Sequence, residues 1–112
     1  MTTHLPNRNE AVLDIRKIED YCLNPSHPRG RHKARVFREA LDLRRTDAGW
    51  LRDALLVAAH SREASQVTLD AWGTRWRLDA AIRRQGKSVM VRTIWIVRTG
   101  ETAPTFVTCW VL

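Results

Sequence analysis

After Arg62 the spacing of apolar residues changes from roughly one every 3.6 positions to an alternation with a period of about 2, the difference between one face of a helix and one face of a strand. Before that point three stretches carry helical stripes. Asp14 stands as an N-cap ahead of Ile15, Ile18 and Cys22, and Ala34, Phe37 and Leu41 form a second stripe beginning near Gly30. Thr46 caps a third, in which Trp50, Leu51, Ala54, Leu55 and Ala58 run towards His60. Between the first and second stripes lie two prolines and a glycine, Pro25, Pro28 and Gly30, which interrupt helix and turn the chain. Beyond Arg62, β-formers predict strands over 65–71, 74–84, 87–98 and 104–112. Trp72-Gly73 and Gln85-Gly86 are the candidate two-residue turns, and 99–103 is a longer connection.

This order predicts an α+β fold with about three N-terminal helices packed on one face of a four-stranded antiparallel β-sheet. A length of 112 residues fits a single domain over 1–112, with residues 1–13, polar and irregular, as a flexible lead-in. Pairing Arg84 with Lys87, Ala71 with Thr74 and Arg98 with Pro104 sorts the strands into two faces. One collects Val67, Leu69, Trp76, Leu78, Ala80, Ile82, Val89, Val91, Thr93, Trp95, Val97, Val107, Cys109 and Val111 and is expected beneath the helices. The opposite face carries Thr68, Asp70, Arg75, Arg77, Asp79, Arg92, Ile94, Ile96, Phe106, Thr108 and Trp110, and is basic and aromatic. Trp50, Trp76 and Trp95 are expected in the core, and Trp72 and Trp110 are expected to be available for contact.

Charge narrows the partners. Nineteen Lys and Arg against twelve Asp and Glu give a net charge of +7, and only Lys17, Lys33 and Lys87 among the nineteen are lysines. A predominance of arginine suits bidentate contact with phosphate, so a polyanion is the expected partner. The longest apolar runs fall far short of the roughly 20 residues that span a bilayer, and no signal peptide is recognisable at the start. With Cys22 and Cys109 isolated in sequence, a reducing cytoplasm, the chain's own or that of a target cell into which it is delivered, is the expected setting.

Two places gather residue types suited to phosphate chemistry. Arg29, Arg31, Lys33 and Arg35 surround the predicted start of the second helix, where free backbone N–H groups and the helix dipole add to their charge. His27 and His32 lie there too, and either is suited to proton transfer near neutral pH. A solvated basic helix face is the plainer reading of the same residues. On the outer sheet face Arg92 falls opposite Asp79 and Trp110 and diagonal to Thr108, with Arg75 and Arg77 nearby. Arginine beside a hydroxyl and a ring can hold a phosphate and stack a base, while a simple Asp79–Arg92 cross-strand pair under Trp110 is the alternative. No His-x-x-x-His, cysteine pair or carboxylate cluster suggests a metal site, and no cofactor is expected.

The motif Tyr21-x-Leu23-Asn24-Pro25-x-His27-Pro28-x-Gly30-x-x-Lys33-Ala34-x-x-Phe37, with Trp50-Leu51-x-x-Ala54-Leu55, Val91-Arg92-Thr93-x-Trp95-Ile96-Val97 and Thr108, resembles an uncharacterised family of short bacterial proteins and toxin C-terminal domains. A more distant resemblance is to the superfamily of toxin RNases that includes barnase, EndoU, the tRNase colicins and RelE. It implies histidine, Lys or Arg, and a hydroxyl around a bound RNA phosphate, roles that fall here to His27 or His32, Lys33, Arg92 and Thr108. Arg29, Arg31, Arg35, Arg75, Arg77 and Trp110 would then bind RNA. The function these signs imply is metal-independent RNA cleavage by a bacterial toxin, with a small acidic antitoxin or immunity protein as partner. A non-catalytic nucleic-acid-binding module and a basic domain for an acidic protein are the alternatives.

Overall fold

The computed structural model describes residues 3–112 and has an α+β fold built on a four-stranded antiparallel sheet in the order β1–β2–β3–β4. The strands are β1 (Ser65–Asp70), β2 (Gly73–Arg84), β3 (Lys87–Arg98) and β4 (Thr105–Val111). Two α-helices precede them, α1 (Arg31–Leu41) and α2 (Ala48–Ser61). The first expected helix is a π-helical turn over Ile18–Cys22, closed by the Leu23 N–H donating to the Ile18 carbonyl at 2.8 Å. Its Ile18 and Cys22 are nonetheless buried, as the apolar stripe requires. α1 lies against β3 and β4, and α2 against β2.

Central pairing is as the turns predict, with Arg84 opposite Lys87 and Trp76 opposite Trp95. Leu78, Ala80, Ile82, Val91, Thr93, Trp95 and Cys109 form one buried cluster with Phe37, Leu41, Leu51 and Leu55 from the helices. Thr93 is tolerated there because its hydroxyl donates to the Leu78 carbonyl at 2.7 Å and accepts from the Trp95 indole at 2.8 Å.

Both outer strands depart from the expected register. The pairing implied by Arg98–Pro104 holds at Thr93–Cys109 and Ile94–Thr108, then a bulge at Val107 brings Phe106 opposite Trp95. One extra residue reverses the alternation, so Phe106 is buried against Trp95 and Val107 is exposed, the opposite of the expectation. At the other edge Asp70 pairs with Gly73 and a second bulge falls at Val67. All six residues of β1 are exposed, so Val67 and Leu69 are not beneath the helices. Trp50, expected in the core, is 39 % exposed with the Arg84 guanidinium 5.3 Å from its ring, and Trp76 is only half-buried.

The expected flexible lead-in is built into the fold from residue 3 onward; Met1 and Thr2 lie outside the described residues. Leu5 and Leu13 enter the core, and Val12 forms a parallel bridge to Thr105 through the Val12 N–H to the Pro104 carbonyl and the Phe106 N–H to the Val12 carbonyl, both 2.9 Å. Two isolated leucines in a polar stretch give no period, so pattern alone does not reveal this.

Candidate active site around Lys33

The segment between the π-helical turn and α1 is a tightly bonded clasp. The Asn24 side chain accepts from the Ser26 N–H and donates to the Asp20 carbonyl. His27 Nδ1 accepts from the N–H groups of both Arg29 and Gly30, each at 3.0 Å, and its ring stands edge-on to Tyr21 with centroids 4.7 Å apart. By accepting both N–H groups, the His27 ring ties down the turn that leads into α1. Gly30 is buried against the Tyr21 backbone, where an added Cβ would lie 2.2 Å from the carbonyl oxygen. These contacts explain the Asn-Pro-x-His-Pro-x-Gly spacing: they fix where the first turn of α1 begins relative to Tyr21.

That placement brings Lys33 to the centre of a cluster drawn from three elements. Its ammonium donates to the Thr108 hydroxyl at 3.2 Å and the Tyr21 hydroxyl at 3.4 Å. It also lies 4.9 Å from the Tyr21 ring centroid and 5.2 Å from that of Trp110. Cation–π contact of this kind supports a half-buried ammonium without neutralising it. Among the described residues no carboxylate pairs with Lys33. A cavity of about 360 Å³ opens beside it, lined by His32, Lys33, Val36, Trp110 and Val111.

Cys22, buried behind the cluster, has its sulfur 3.8 Å from Thr108 Oγ1. Hydrogen bonding with Cys109 lowers the Cys22 thiol to about 7 against the opposing effect of burial, and the Thr108 hydroxyl and the Lys33 charge act in the same downward direction. Cys109, wholly buried, is pushed up by the same hydrogen bond and by burial. Isolated in sequence, the two cysteines are neighbours in space, and both are free thiols.

Of the sequence-derived residues, Lys33, Thr108 and Trp110 converge, and His32 borders their cavity from the exposed side of α1. Arg92 does not join them. It sits opposite Trp110 as expected, but both its Nε and Nη2 donate to Asp79 at 2.9 Å, so the cross-strand pair that sequence offered as the alternative is present. That bond holds the Asp79 carboxyl below its usual range. Arg75 is tied to Asp70 at 2.7 Å, whereas Arg77 is exposed. Arg29, Arg31 and Arg35 are exposed around the start of α1. Tyr21 and Cys22 were not assigned roles from sequence; Tyr21 was visible only as the first residue of the motif, twelve positions before the lysine it supports.

A model for a family described as a domain of unknown function (DUF6883) matches residues 4–112. The chain belongs to this family. The family description assigns no activity, so the site must speak for itself. Among solved structures, a chain of the contact-dependent growth inhibition toxin–immunity protein complex from Klebsiella pneumoniae 342 is similar, with a TM-score of 0.64 at 14 % identity over 93 % of this chain and 95 % of that one. The two chains share a fold over nearly their whole lengths. No curated protein matches the sequence. No helix of the described residues is long and apolar enough to cross a membrane.

Proposed function

We propose that this family member is a metal-independent endoribonuclease of the bacterial toxin type, acting at Lys33. The observation that carries the reading is a lysine ammonium held by two hydroxyls and two aromatic faces, open to a cavity, with no carboxylate pairing it among the described residues. Such a group is ready for an anion, and the first turn of α1 adds backbone N–H groups and a positive dipole end. RNA supplies its own nucleophile. His32 takes the proton from a 2′-hydroxyl as that oxygen bonds to phosphorus, and the bond to the 5′-oxygen breaks as a water molecule gives that oxygen a proton. Lys33 and the Thr108 hydroxyl stabilise the charge on the non-bridging oxygens, and Trp110 offers a face for a base. Arg92 stays with Asp79 in this reading, and the exposed Arg77 adds general attraction for RNA.

The fold shared with a chain of a toxin–immunity complex supports a toxin setting, and the basic surface supports a small acidic inhibitor as partner. The place of action is a cytoplasm, where RNA is found. A non-catalytic RNA-binding module is the second reading, favoured by the lack, among the described residues, of any side chain hydrogen-bonded to His32. Incubation of the purified protein with RNA in excess chelator separates the two. Cleavage leaving 2′,3′-cyclic phosphate ends is expected, reduced on the order of 100-fold or more in Lys33→Ala and in His32→Ala proteins that keep their circular dichroism spectra. RNA that stays intact, or is cut only after divalent metal is added, overturns the proposal.

A further inference from the structure

On the other side of His32 lies a larger groove of about 790 Å³ between α1 and the Leu43–Thr46 segment. Five arginines line it: Arg31, Arg35 and Arg38 from α1, Arg44 and Arg45 from the turn that follows. At about 1.5 Å rise per residue the three helix arginines, spaced i, i+4 and i+7, form a row roughly 10 Å long on one helix face. The floor is apolar, with Leu23 and Leu43 both fully packed.

The charges in the groove are unevenly answered. Asp42 serves both Arg38 at 3.3 Å and Arg44 at 3.9 Å, and Arg45 is held by Asp20 at 2.7 Å and by the Glu19 carbonyl at 2.8 Å. Arg31 and Arg35 form no ion pair among the described residues. Moreover, α1 has no acidic residue in its first turn, so Arg31 faces the positive end of the helix dipole with no carboxylate beside it. Like charges concentrated where the fold disfavours them are retained at a cost to stability, which a binding role explains.

We infer that this groove holds the stretch of single-stranded RNA that flanks the scissile phosphate, an inference that rests on the ribonuclease reading. Planar guanidinium forks along the rim match phosphate oxygens, and the guanidinium planes and the exposed ring of Pro25 offer faces to bases. His32 lines both the groove and the Lys33 cavity, so one strand can pass from one to the other over the first turn of α1. Continuity with the Lys33 cavity, where the scissile phosphate would lie, favours a nucleic-acid strand as the occupant. Arg38, Arg44 and Arg45 thereby join Arg31 and Arg35 as substrate-binding residues.

The test compares wild-type protein with the R31E/R35E double variant on three fluorescent probes: a dinucleotide, a 12-mer of 2′-O-methyl RNA that resists cleavage, and polyglutamate of matched charge. Wild-type protein should prefer the 12-mer, and the variant should bind it on the order of 100-fold more weakly, with a salt slope about 1.4 units shallower for two lost phosphate contacts. In the variant, KM for a cleavable 12-mer should rise by a larger factor than KM for a cleavable dinucleotide. Melting of the variant checks that it is folded, and R31Q/R35Q should show a smaller loss in the same direction. Equal 12-mer affinity and slope in wild type and variant would overturn the groove assignment. So would polyglutamate binding as tight as RNA with the same dependence on Arg31 and Arg35, the result expected of a surface for acidic proteins. Arginine-dependent 12-mer binding without cleavage of any substrate would remove the ribonuclease reading and leave the groove as an RNA-binding site.

Discussion

Gly30 tests whether the clasp before α1 governs both stability and the position of Lys33. Its backbone, φ −90° and ψ −15°, suits any residue, so a side chain there meets no conformational strain. The objection is spatial: a Cβ would lie 2.2 Å from the Tyr21 carbonyl oxygen, 3.0 Å from its carbon and 3.3 Å from Cδ2 of its ring. Opening the first distance to the 3.4 Å of ordinary contact separates the two segments by about 1.2 Å. Both are backbone, so no flexible side chain can yield. Gly30→Ala should therefore cost about 1–3 kcal/mol, as overpacking of a well-filled site does. For a domain of this size that lowers Tm by roughly 4–12 °C. The same displacement, three residues before Lys33, would stretch its 3.2 Å bond to Thr108 beyond hydrogen-bonding range. Gly49→Ala is the control, because the nearest atom to its added Cβ is Ile15 Cδ1 at 4.0 Å. Within α2 that change should be neutral or stabilising by up to about 1 kcal/mol. Urea denaturation of the three proteins measures the stability changes, and a Gly30→Ala protein with the wild-type midpoint would refute the steric account of the motif.

Two further outcomes follow from the sheet. The Arg92 hydrogen bonds lower the folded-state titration of Asp79, so the pair contributes stability above the unfolded carboxylate value of about 3.9, lost as pH falls through the folded value. In Arg92→Met the Asp79 carboxyl should titrate upward and the acid-dependent part of this stability should disappear; an NMR titration of Asp79 indistinguishable from wild type would contradict it. Thr93→Val keeps the shape but removes the donor to Leu78 and the acceptor for the Trp95 indole, leaving a buried N–H unpaired, and should cost about 1–3 kcal/mol in urea denaturation. An unchanged midpoint would mean that the indole finds another partner.

The sequence by itself determined the order of helical and strand segments and the central sheet register. Period is a local property, and the Gln85-Gly86 turn fixes Arg84 opposite Lys87, after which every residue of β2 and β3 takes its face by alternation. It also supplied Lys33, Thr108 and Trp110 as residue types, because a basic cluster at a helix start and a hydroxyl and ring on the last strand are legible in one dimension. Tertiary structure decided the rest. The bulge at Val107 inserts one residue without any glycine or proline to announce it, and that single insertion puts Phe106 into the core. Leu5 and Leu13 are buried through packing that no periodicity encodes, and Cys22 and Cys109, 87 positions apart, meet only when the π-helical turn docks on β4. Arg92 and Lys33 began as equivalent cations; a neighbouring carboxylate occupies one and leaves the other open, because pairing depends on side-chain reach across folded elements rather than on position along the chain.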